Sequence, residues 1–577
     1  LDTQGNWQAP PREVNGNEID GIKEYGANIG GPLLKDHLWV WGSYGRNDIG
    51  NIVGVTGQLD KTQLKDYNGK LNFQMGSNSG TVHYWKNDKL KFGRGAGFDR
   101  SPETTWDQTT PSTKWKFEDT QLFGSNLILS ALYSHDPGAF TLHPKGGQNA
   151  DVYYDADGVW HGSFFTFDQS AVINQSKLDG TSFFKTGEWD NELKFGASYR
   201  TQENESVSTL PHGRAVLDCN GYGCDPGPDG DQKVVEWIRH NVAVKTKYQA
   251  AWVQDTLTQD RWTLTAGARW DKQTARNLAI HDPGTPEAPG GLLPVIDFKG
   301  DNAQGLDWHA IVPRLSATYA IGQDRRTLVR GTYSQYAAQL GQWVANYVSP
   351  TAAYSYVYYY FTDANHNNKF DPNEAGSLSY YFVYNINLAD PTKSPNKLAG
   401  NLSPYKTHEA TLSLQHSFAN NFNVSANLTY RVTNDLLEPR PLVTDANGVE
   451  RPAVASDYVF KKNVTVFLPN GKSVTVPQYT LSDAVTATGG NMLSNSDRKI
   501  EYVGINIGFQ KPLSNNWSMR GNFNYGDSKL KVGPGFKAQD DPTDRINLGA
   551  GFYGDNSDIF TDTSYGSHKT VLLNSRW

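Results

Sequence analysis

The sequence is poor in the residues on which most soluble enzymes and helical membrane proteins depend. Its 577 residues include only 2 Cys and 3 Met, and hydrophobic residues make up 37% of the chain. The mean hydropathy is −0.60, and no run approaches the roughly 20 apolar residues of a spanning helix. Helical membrane spans are therefore excluded. A membrane β-barrel is not, because barrel strands are apolar at every second position only and average out as polar.

Two classes of function find little support in the sequence. The net charge is −7 and Lys and Arg form no run or stripe, so we expect no nucleic acid partner. The H-E-x-x-H, G-x-S-x-G and P-loop patterns are absent, and the 13 His are not paired at metal-ligand spacing. The sequence does not exclude a glycosidase-like carboxylate pair, because Asp and Glu are plentiful. We nevertheless expect no enzyme and no catalytic residues.

The two cysteines lie close together in "DCNGYGCDPGPDGD". Because the chain has no other cysteine, we predict a disulfide bond between Cys219 and Cys224. Such a bond would indicate an oxidising compartment. Two free thiols in a loop are the alternative.

Strict alternation of apolar and polar residues recurs along the chain. In "RWTLTAGARWDKQ" one face carries Trp262, Leu264, Ala266, Ala268 and Trp270, and the other carries Thr263, Thr265, Gly267, Arg269 and Asp271. The stretches "NFNVSANLTYR", "NWSMRGNFNYG" and "ELKFGASYR" repeat the scheme. Alternation over about nine residues predicts β-strands with one apolar and one wet face.

The apolar face of these strands has the features of a membrane barrel. Trp262 and Trp270 place aromatic rings at both ends of that face, as in the aromatic girdles of outer-membrane barrels, and nine tilted residues span the apolar band of about 25 Å. Short turns at "ANN" and "SNN" alternate with long stretches at 136–160, 202–237, 274–305 and 338–406. We therefore predict an all-β, large transmembrane antiparallel β-barrel over 1–577, with short periplasmic turns and long extracellular loops.

Several stretches, in this order, resemble the barrel of TonB-dependent outer-membrane receptors: "YGANIGGPLLKDHLWVWGSYG", "AAWVQDTLTQDRWTLTAGARWD", "VPRLSATYAIGQDRRTLVRGTYSQY" and "NLSPYKTHEATLSLQHSF". The segments "GRGAGFDRSPETTWDQ" and "GGPLLKD" are similar to the Oar-like branch of that family. The resemblance implies a barrel of about 22 strands in the outer membrane of a Gram-negative bacterium. It also implies import of an external ligand, energised by the TonB complex.

The start of the chain departs from the family pattern. The sequence opens on Leu1 with neither an initiator Met nor a signal peptide, which indicates a mature or trimmed product. No plug domain and no TonB-contacting segment is found ahead of "EVNGNEIDGIKEYGANIGG". The import hypothesis predicts that both precede this chain in the intact protein.

One loop carries the spacing of a calcium site. In "TDANHNNKFDPNEAG" the positions of an EF-hand loop are filled by Asp363, Asn365, Asn367, Lys369, Asp371 and Glu374, with Lys369 supplying its carbonyl and Asp371 acting through water. The flanks read as strands, so calcium as a structural cofactor would stiffen the loop. Its affinity would be weak, on the order of 10⁻⁴–10⁻³ M. The alternative is a polar Asx-turn loop without metal.

The tyrosine-rich stretch "YSYVYYYF" precedes this loop. It could form an external ligand platform, because Tyr offers rigid amphipathic contact area. A strand in the interfacial girdle is the alternative, and we prefer it.

Three functions compete at this point. The leading hypothesis is a receptor barrel that is embedded in outer-membrane lipid and imports a small-molecule, peptide or glycan ligand across the outer membrane. The ligand-binding residues are not predicted. The alternative is a structural or adhesive outer-membrane barrel that acts in a surface complex with partner proteins. A secreted carbohydrate-active β-protein, soluble without detergent, is the third.

Overall fold

The computed structural model describes most of the chain. The described residues are 16–54, 56–223, 233–284, 293–301, 306–367, 369–382, 387, 390–419, 421–467, 473–496, 498–531 and 564–576. Among them, no helix is long and apolar enough to cross a membrane.

The described residues form β-strands, two short helices and a few 3₁₀ turns. In chain order the strands are β1 (Glu18–Leu34), β2 (Leu38–Val53), β3 (Gln58–Met75), β4 (Asn78–Arg94), β5 (Trp106–Phe123), β6 (Leu127–Pro144), β7 (Val152–Tyr154), β8 (Trp160–His161), β9 (Thr166–Thr186), β10 (Trp189–Thr209), β11 (Arg214–Asp218), β12 (Lys233–Gln259), β13 (Trp262–Asn277), β14 (Ile280–Asp282), β15 (Ile296–Phe298), β16 (Asp307–Ile321), β17 (Thr327–Ala337), β18 (Ser355–Phe361), β19 (Ala375–Phe382), β20 (Lys397–Leu398), β21 (Lys406–Ser417), β22 (Asn423–Asn434), β23 (Leu437–Asp445), β24 (Glu450–Pro452), β25 (Tyr458–Phe467), β26 (Ser473–Leu481), β27 (Val485–Asn495), β28 (Lys499–Ser514), β29 (Trp517–Lys531) and β30 (Ser564–Arg576). The helices are α1 (Cys219–Tyr222) and α2 (Gln342–Asn346).

The long strands pair in chain order to form one antiparallel wall. Its order is β1-β2-β3-β4-β5-β6-β9-β10-β12-β13-β16-β17-β21-β22-β28-β29-β30. This arrangement confirms the predicted fold class, a large antiparallel β-barrel. The wall and the short strands that join it form a 22-stranded sheet. That number includes loop strands, so it does not test the count of barrel strands that the resemblance implies.

The two faces of the wall differ as the alternation predicts. Leu412 and Leu428 are cross-strand partners on one face, and their side chains are 54% and 46% exposed. Their neighbours Ser413 and Asn427 are partners on the other face, and Asn427 donates a hydrogen bond to Asn506 at 3.5 Å. The exposed apolar face suits lipid, and the polar face suits a wet lumen.

The turns on one rim are tight and contain residues that tolerate positive φ. Asn515 (φ 52°) and Asn516 (φ 62°) join β28 to β29, and Asp260 (φ 48°) joins β12 to β13. Asn and Asp adopt this left-handed region more readily than other residues with a side chain. On the opposite rim the connections are long, for example between β10 and β12 and between β17 and β21. This asymmetry agrees with the predicted alternation of short turns and long loops.

The predicted ends of the long loops were wrong. The structure continues several strands into those stretches: β6 runs to Pro144, β10 to Thr209 and β13 to Asn277, and β12 already begins at Lys233. Beyond the hydrocarbon layer a strand still pairs its backbone, but its outer face no longer has to be apolar. The alternation that marks strands in the sequence therefore fades before the strands end.

We predict that arginine is tolerated on one face of β22 and not on the other. Leu428→Arg places a charge near mid-height on the lipid face, where we expect a loss of about 2–4 kcal/mol in the free energy of unfolding from bilayers. Asn427→Arg, one residue away on the lumenal face, should change it by less than about 1 kcal/mol. Urea titration of the folded protein in lipid vesicles, followed by tryptophan fluorescence, measures both. Equal losses in the two variants would contradict the assignment of the faces.

Candidate functional site: the loop sheet above the wall

The strand β12 belongs to two sheets. Its lower part pairs with β10 up to His240 and with β13 up to Val244. In its upper part, residues 233–237 pair with β11 on one side and residues 233–239 pair with β18 on the other. The 27 residues of β12 extend roughly 90 Å at 3.3 Å per residue. The tilted crossing of the apolar band needs only about 11 residues. The upper part of β12 therefore stands outside the membrane.

We call the assembly of β7, β8, β11, upper β12, β18 and β19 the loop sheet. It has a buried apolar cluster on each face. One cluster contains Val216, Val235, Leu293, Val357, Tyr359, Phe361 and Phe370. The other contains Val152, Leu210, Ala215, Leu217, Cys219 and Val234. Because both faces are packed, the loop sheet is a folded unit built from three separate loops.

The tyrosine-rich stretch lies in this loop sheet as β18. Its side chains alternate, with Val357, Tyr359 and Phe361 buried and the tyrosines between them half-buried. The preferred interpretation, a strand in the interfacial girdle, was therefore wrong. Strand formation on both sides of the following loop was predicted correctly, as β18 and β19.

Tyrosine rings cover one side of the loop sheet. The ring centroids of Tyr358 and Tyr380 are 6.1 Å apart, those of Tyr222 and Tyr358 are 6.2 Å apart, and those of Tyr154 and Tyr222 are 6.0 Å apart. Tyr222 and Tyr380 are 45% and 53% exposed. The rings thus form an external aromatic surface that a ligand could contact.

A chain of hydrogen bonds leads from this surface to Glu236. The hydroxyls of Tyr222 and Tyr358 are 3.1 Å apart, and the Tyr358 hydroxyl donates to Glu236 Oε1 at 2.9 Å. Burial raises the pKa of Glu236 to about 7, and the hydrogen bond from Tyr358 offsets part of that rise. Burial and the neighbouring Glu236 carboxylate raise the pKa of Tyr358. Sequence reasoning missed Glu236, although an acid inside the apolar run "KVVEWI" was a usable signal.

The predicted calcium loop connects β18 to β19. Its main chain makes the expected turns, because the N–H of Asn367 donates to Asp363 Oδ1 at 3.0 Å and the N–H of Lys369 donates to Asn367 Oδ1 at 2.7 Å. The amides of Asn365 and Asn367 lie 2.8 and 3.2 Å from Asp371 Oδ2. Four of the predicted side chains therefore lie near one another.

Other contacts in the loop compete with a metal ion. The Lys233 ammonium lies 2.6 Å from Asp363 Oδ2, and Asp363 is buried. Glu374 accepts hydrogen bonds from the N–H groups of Ala364 and Asp371, and the Lys369 ammonium pairs with Asp151 at 2.9 Å. In the described part of the chain, no three His, Cys, Asp or Glu side chains converge as a metal site. The main-chain conformation of the loop fits a calcium site. The arrangement of its oxygen donors fits one only partly.

The cysteine pair lies at the edge of the loop sheet. Cys219 begins α1, where Asp218 Oδ1 accepts a hydrogen bond from the N–H of Asn220 at 2.9 Å. Cys219 is buried and disulfide-bonded. Cys224 lies outside the described residues, so the bridge between the two stays a prediction.

A second folded part of the loops packs on the lumenal side of the wall. Val244, Ala275 and Trp308 belong to the inward faces of β12, β13 and β16, and they share a buried cluster with Val344 and Ala345 of α2. Leu402, from the same loop as α2, and Leu493, from the loop between β22 and β28, also belong to this cluster. The long loops therefore fold inward over the barrel mouth. Sequence reasoning did not predict this cluster.

Comparisons with known proteins agree with this architecture. The family described as "TonB dependent receptor-like, beta-barrel" matches residues 42–576. The outer membrane transporter YddB from Escherichia coli is similar in structure, with 11% identity and a TM-score of 0.53, over 90% of this chain and 56% of that chain. The siderophore receptor PiuA from Acinetobacter baumannii has 12% identity and a TM-score of 0.47, over 91% and 65%. The chain thus spans about three fifths of these proteins. None of the curated protein sequences matches it.

An antiparallel wall with an apolar outer face, a polar lumen and long loops on one rim defines a β-barrel of the bacterial outer membrane. The chain belongs to the family of TonB-dependent receptors, whose barrel domain it matches over most of its length. This family membership confirms the predicted TonB-dependent receptor family, the fold class and the outer-membrane localisation.

We predict that acidic pH stabilises the loop sheet through Glu236. Its pKa is about 7 in the folded protein against the ordinary 4.5, so between these values only the folded state keeps the proton. Stability should fall as the pH rises through this interval and level off above about pH 7. Hydrogen exchange of the β18 amides, corrected for intrinsic rates, should therefore be slower at pH 5 than at pH 8.

The Glu236→Gln variant should lose this pH dependence, because the amide does not titrate. Glu205→Gln, at an exposed position on β10, is the control and should keep it. Equal pH dependence in wild type and Glu236→Gln would contradict the role of Glu236.

Proposed function

We propose that this chain is the barrel of a receptor that captures an external solute and imports it across the outer membrane. The observation that carries the proposal is the asymmetry of the barrel. One rim has tight turns, whereas the other carries folded loops with an aromatic surface outside and a packed cluster over the lumen.

The partners follow from the family. We infer that the TonB complex energises import. The solute is a small molecule, peptide or glycan that first contacts the loop sheet. We also place the chain in the Oar-like branch on the sequence resemblance alone.

Import can be tested without knowing the solute. Cells that carry the intact gene, cells that lack it and cells treated with a protonophore are grown under nutrient limitation. Mass spectrometry of the medium then follows the loss of solutes over time. We expect at least one solute to disappear only in energised cells with the gene. Identical depletion in all three cultures would overturn the proposal.

We further propose that the loop between β18 and β19 binds calcium weakly and that Lys233 competes with it. The Lys233 ammonium holds the carboxylate that would fill the first ligand position. Removing that charge should therefore free the carboxylate for the metal ion. Bound calcium would rigidify the loop by joining its oxygen donors.

The predicted effect is that Lys233→Met tightens calcium binding about tenfold, whereas Asp363→Asn abolishes it. Limited proteolysis between Tyr360 and Tyr380, with calcium or with EGTA, reads out loop rigidity. Lys245→Met on the same strand is the control and should leave the calcium dependence unchanged. Cleavage that is identical with calcium and EGTA in wild type and Lys233→Met would refute the site.

A further inference from the structure

One face of the loop sheet is covered by tyrosine rings. Tyr154 and Tyr358 pack against the buried cluster that contains Leu217, and the strand register places Tyr380 directly beside Tyr358. Tyr356 lies two residues before Tyr358 in a strand whose side chains alternate, so it points to the same face. We call the rings of Tyr154, Tyr222, Tyr356, Tyr358 and Tyr380 the tyrosine surface.

The tyrosine surface lies above the wall and not inside the lumen. His240 is the last residue of β12 that pairs with the wall strand β10. Tyr358 pairs with Glu236, which is roughly 13 Å further up β12 at the rise of a strand. Tyr222 and Tyr380 are about half exposed. A solute therefore reaches these rings from the external medium.

Three of the rings form a triangle. The ring centroids of Tyr356 and Tyr358 are 5.5 Å apart, and the centroid of Tyr380 lies 6.4 Å from that of Tyr356 and 6.1 Å from that of Tyr358. A cation is attracted to the face of an aromatic ring within about 6 Å of the centroid. One cationic group placed over the triangle can therefore contact all three rings.

Acidic side chains lie next to the tyrosine surface at both of its ends. The Tyr358 hydroxyl donates a hydrogen bond to the carboxylate of Glu236 at 2.9 Å. At the other end, burial and the nearby Asp99 carboxylate raise the pKa of Tyr154. Carboxylates in these positions attract a cation that lies on the rings, and they repel an anion.

The basic side chains of the adjacent strand positions face the other way. The Lys233 ammonium lies 2.6 Å from Asp363 Oδ2. Arg214 Cζ lies 5.6 Å from the ring centroid of Phe370, which belongs to the buried cluster of the opposite face. The tyrosine surface therefore combines aromatic rings with negative charge, and an organic cation is the ligand that uses both. A neutral sugar would stack on the rings without using the carboxylates.

We propose that the tyrosine surface binds an organic cation with guanidinium or alkylammonium groups, as carried by a basic peptide. Tyr356, Tyr358 and Tyr380 contact the cationic group. Glu236, which is hydrogen-bonded to Tyr358, supplies the opposite charge. The proposal deepens the proposed import function by naming a class of solute, and it rests on that function only for the statement that the bound cation is cargo.

Two matched tripeptides test the preference for a cation: acetyl-triarginine amide and acetyl-tricitrulline amide. Citrulline replaces the guanidinium group by a neutral urea of nearly the same shape. Isothermal titration of the protein in non-ionic detergent, at pH 8 and low ionic strength, should show triarginine binding about tenfold more tightly than tricitrulline. Maltotriose, a neutral sugar, should bind no more tightly than tricitrulline.

Substitutions of Tyr380 test whether the ring itself is needed. Tyr380→Leu keeps an apolar side chain but removes the ring, so triarginine binding should weaken about fivefold. Tyr380→Phe keeps the ring and should stay within about twofold of wild type. The control is Tyr405→Leu, which removes another exposed ring outside the loop sheet and should change the affinity less than about twofold. Hydrogen exchange of the β18 amides shows whether the loop sheet is intact in each variant.

The charge of Glu236 is tested by pH. Triarginine affinity should rise between pH 6 and pH 8, because Glu236 ionises near its pKa of about 7 and only the carboxylate attracts the cation. The titratable groups that face Glu236 are Tyr358 and Tyr356, whose pKa values burial raises. Tyr222 of α1 is hydrogen-bonded to Tyr358, and the β11 partner of Glu236 is Ala215. Glu236→Gln should bind triarginine more weakly at pH 8 and lose the rise; an unchanged rise would contradict the role of Glu236.

Two results would overturn the tyrosine surface as a cation site: equal affinity for triarginine and tricitrulline, or an equal loss in Tyr380→Leu and Tyr405→Leu. Tighter binding of maltotriose than of triarginine would also overturn it and would indicate a sugar-binding surface. Binding is measured without cells or energy, so it is independent of import. Binding as expected, without solute depletion by energised cells, would leave the site standing and overturn the import function. The converse result would do the reverse.

Discussion

The constraint on which the structure depends is that a backbone inside hydrocarbon must satisfy its own hydrogen bonds. An unpaired N–H or C=O group costs several kcal/mol there. The wall meets this constraint by pairing each long strand with its neighbour in the chain, as in the continuous register of β10 with β12 and of β12 with β13. Antiparallel neighbours need only short turns, which explains the tight rim.

The same pairing fixes what each face can do. Side chains alternate along a strand, so a wall with lipid on one side presents every second residue to the lumen. On β13 this puts Trp270 outside and Arg269 inside. The apolar outer face serves insertion, which leaves the inner face free to carry charge.

The strand β12 links the membrane part to the external part. Its lower half is a wall strand, and its upper half is the centre of the loop sheet. A loop sheet built on such a strand is positioned by the wall and not by flexible linkers. The loop between β18 and β19, the tyrosine surface and Glu236 are therefore held at a defined place above the mouth, which suits the proposed capture of a solute.

The sequence by itself determined that strands cross the membrane, because the alternation that lipid imposes is plain in β10, β13, β22 and β29. It also marked the tight turns and the strands β18 and β19 on either side of the predicted calcium loop. It did not determine where strands end outside the membrane, because no lipid is present there to require an apolar face on each strand.

The tertiary structure alone decided which distant residues meet. Glu236 contacts Tyr358, Lys233 contacts Asp363, and Trp308 packs with α2. The partners in each pair are far apart in the sequence, and their contacts depend on the order of strands around the wall. Local sequence patterns extend over one strand and its neighbours in the chain, so they carry no information about such long-range contacts.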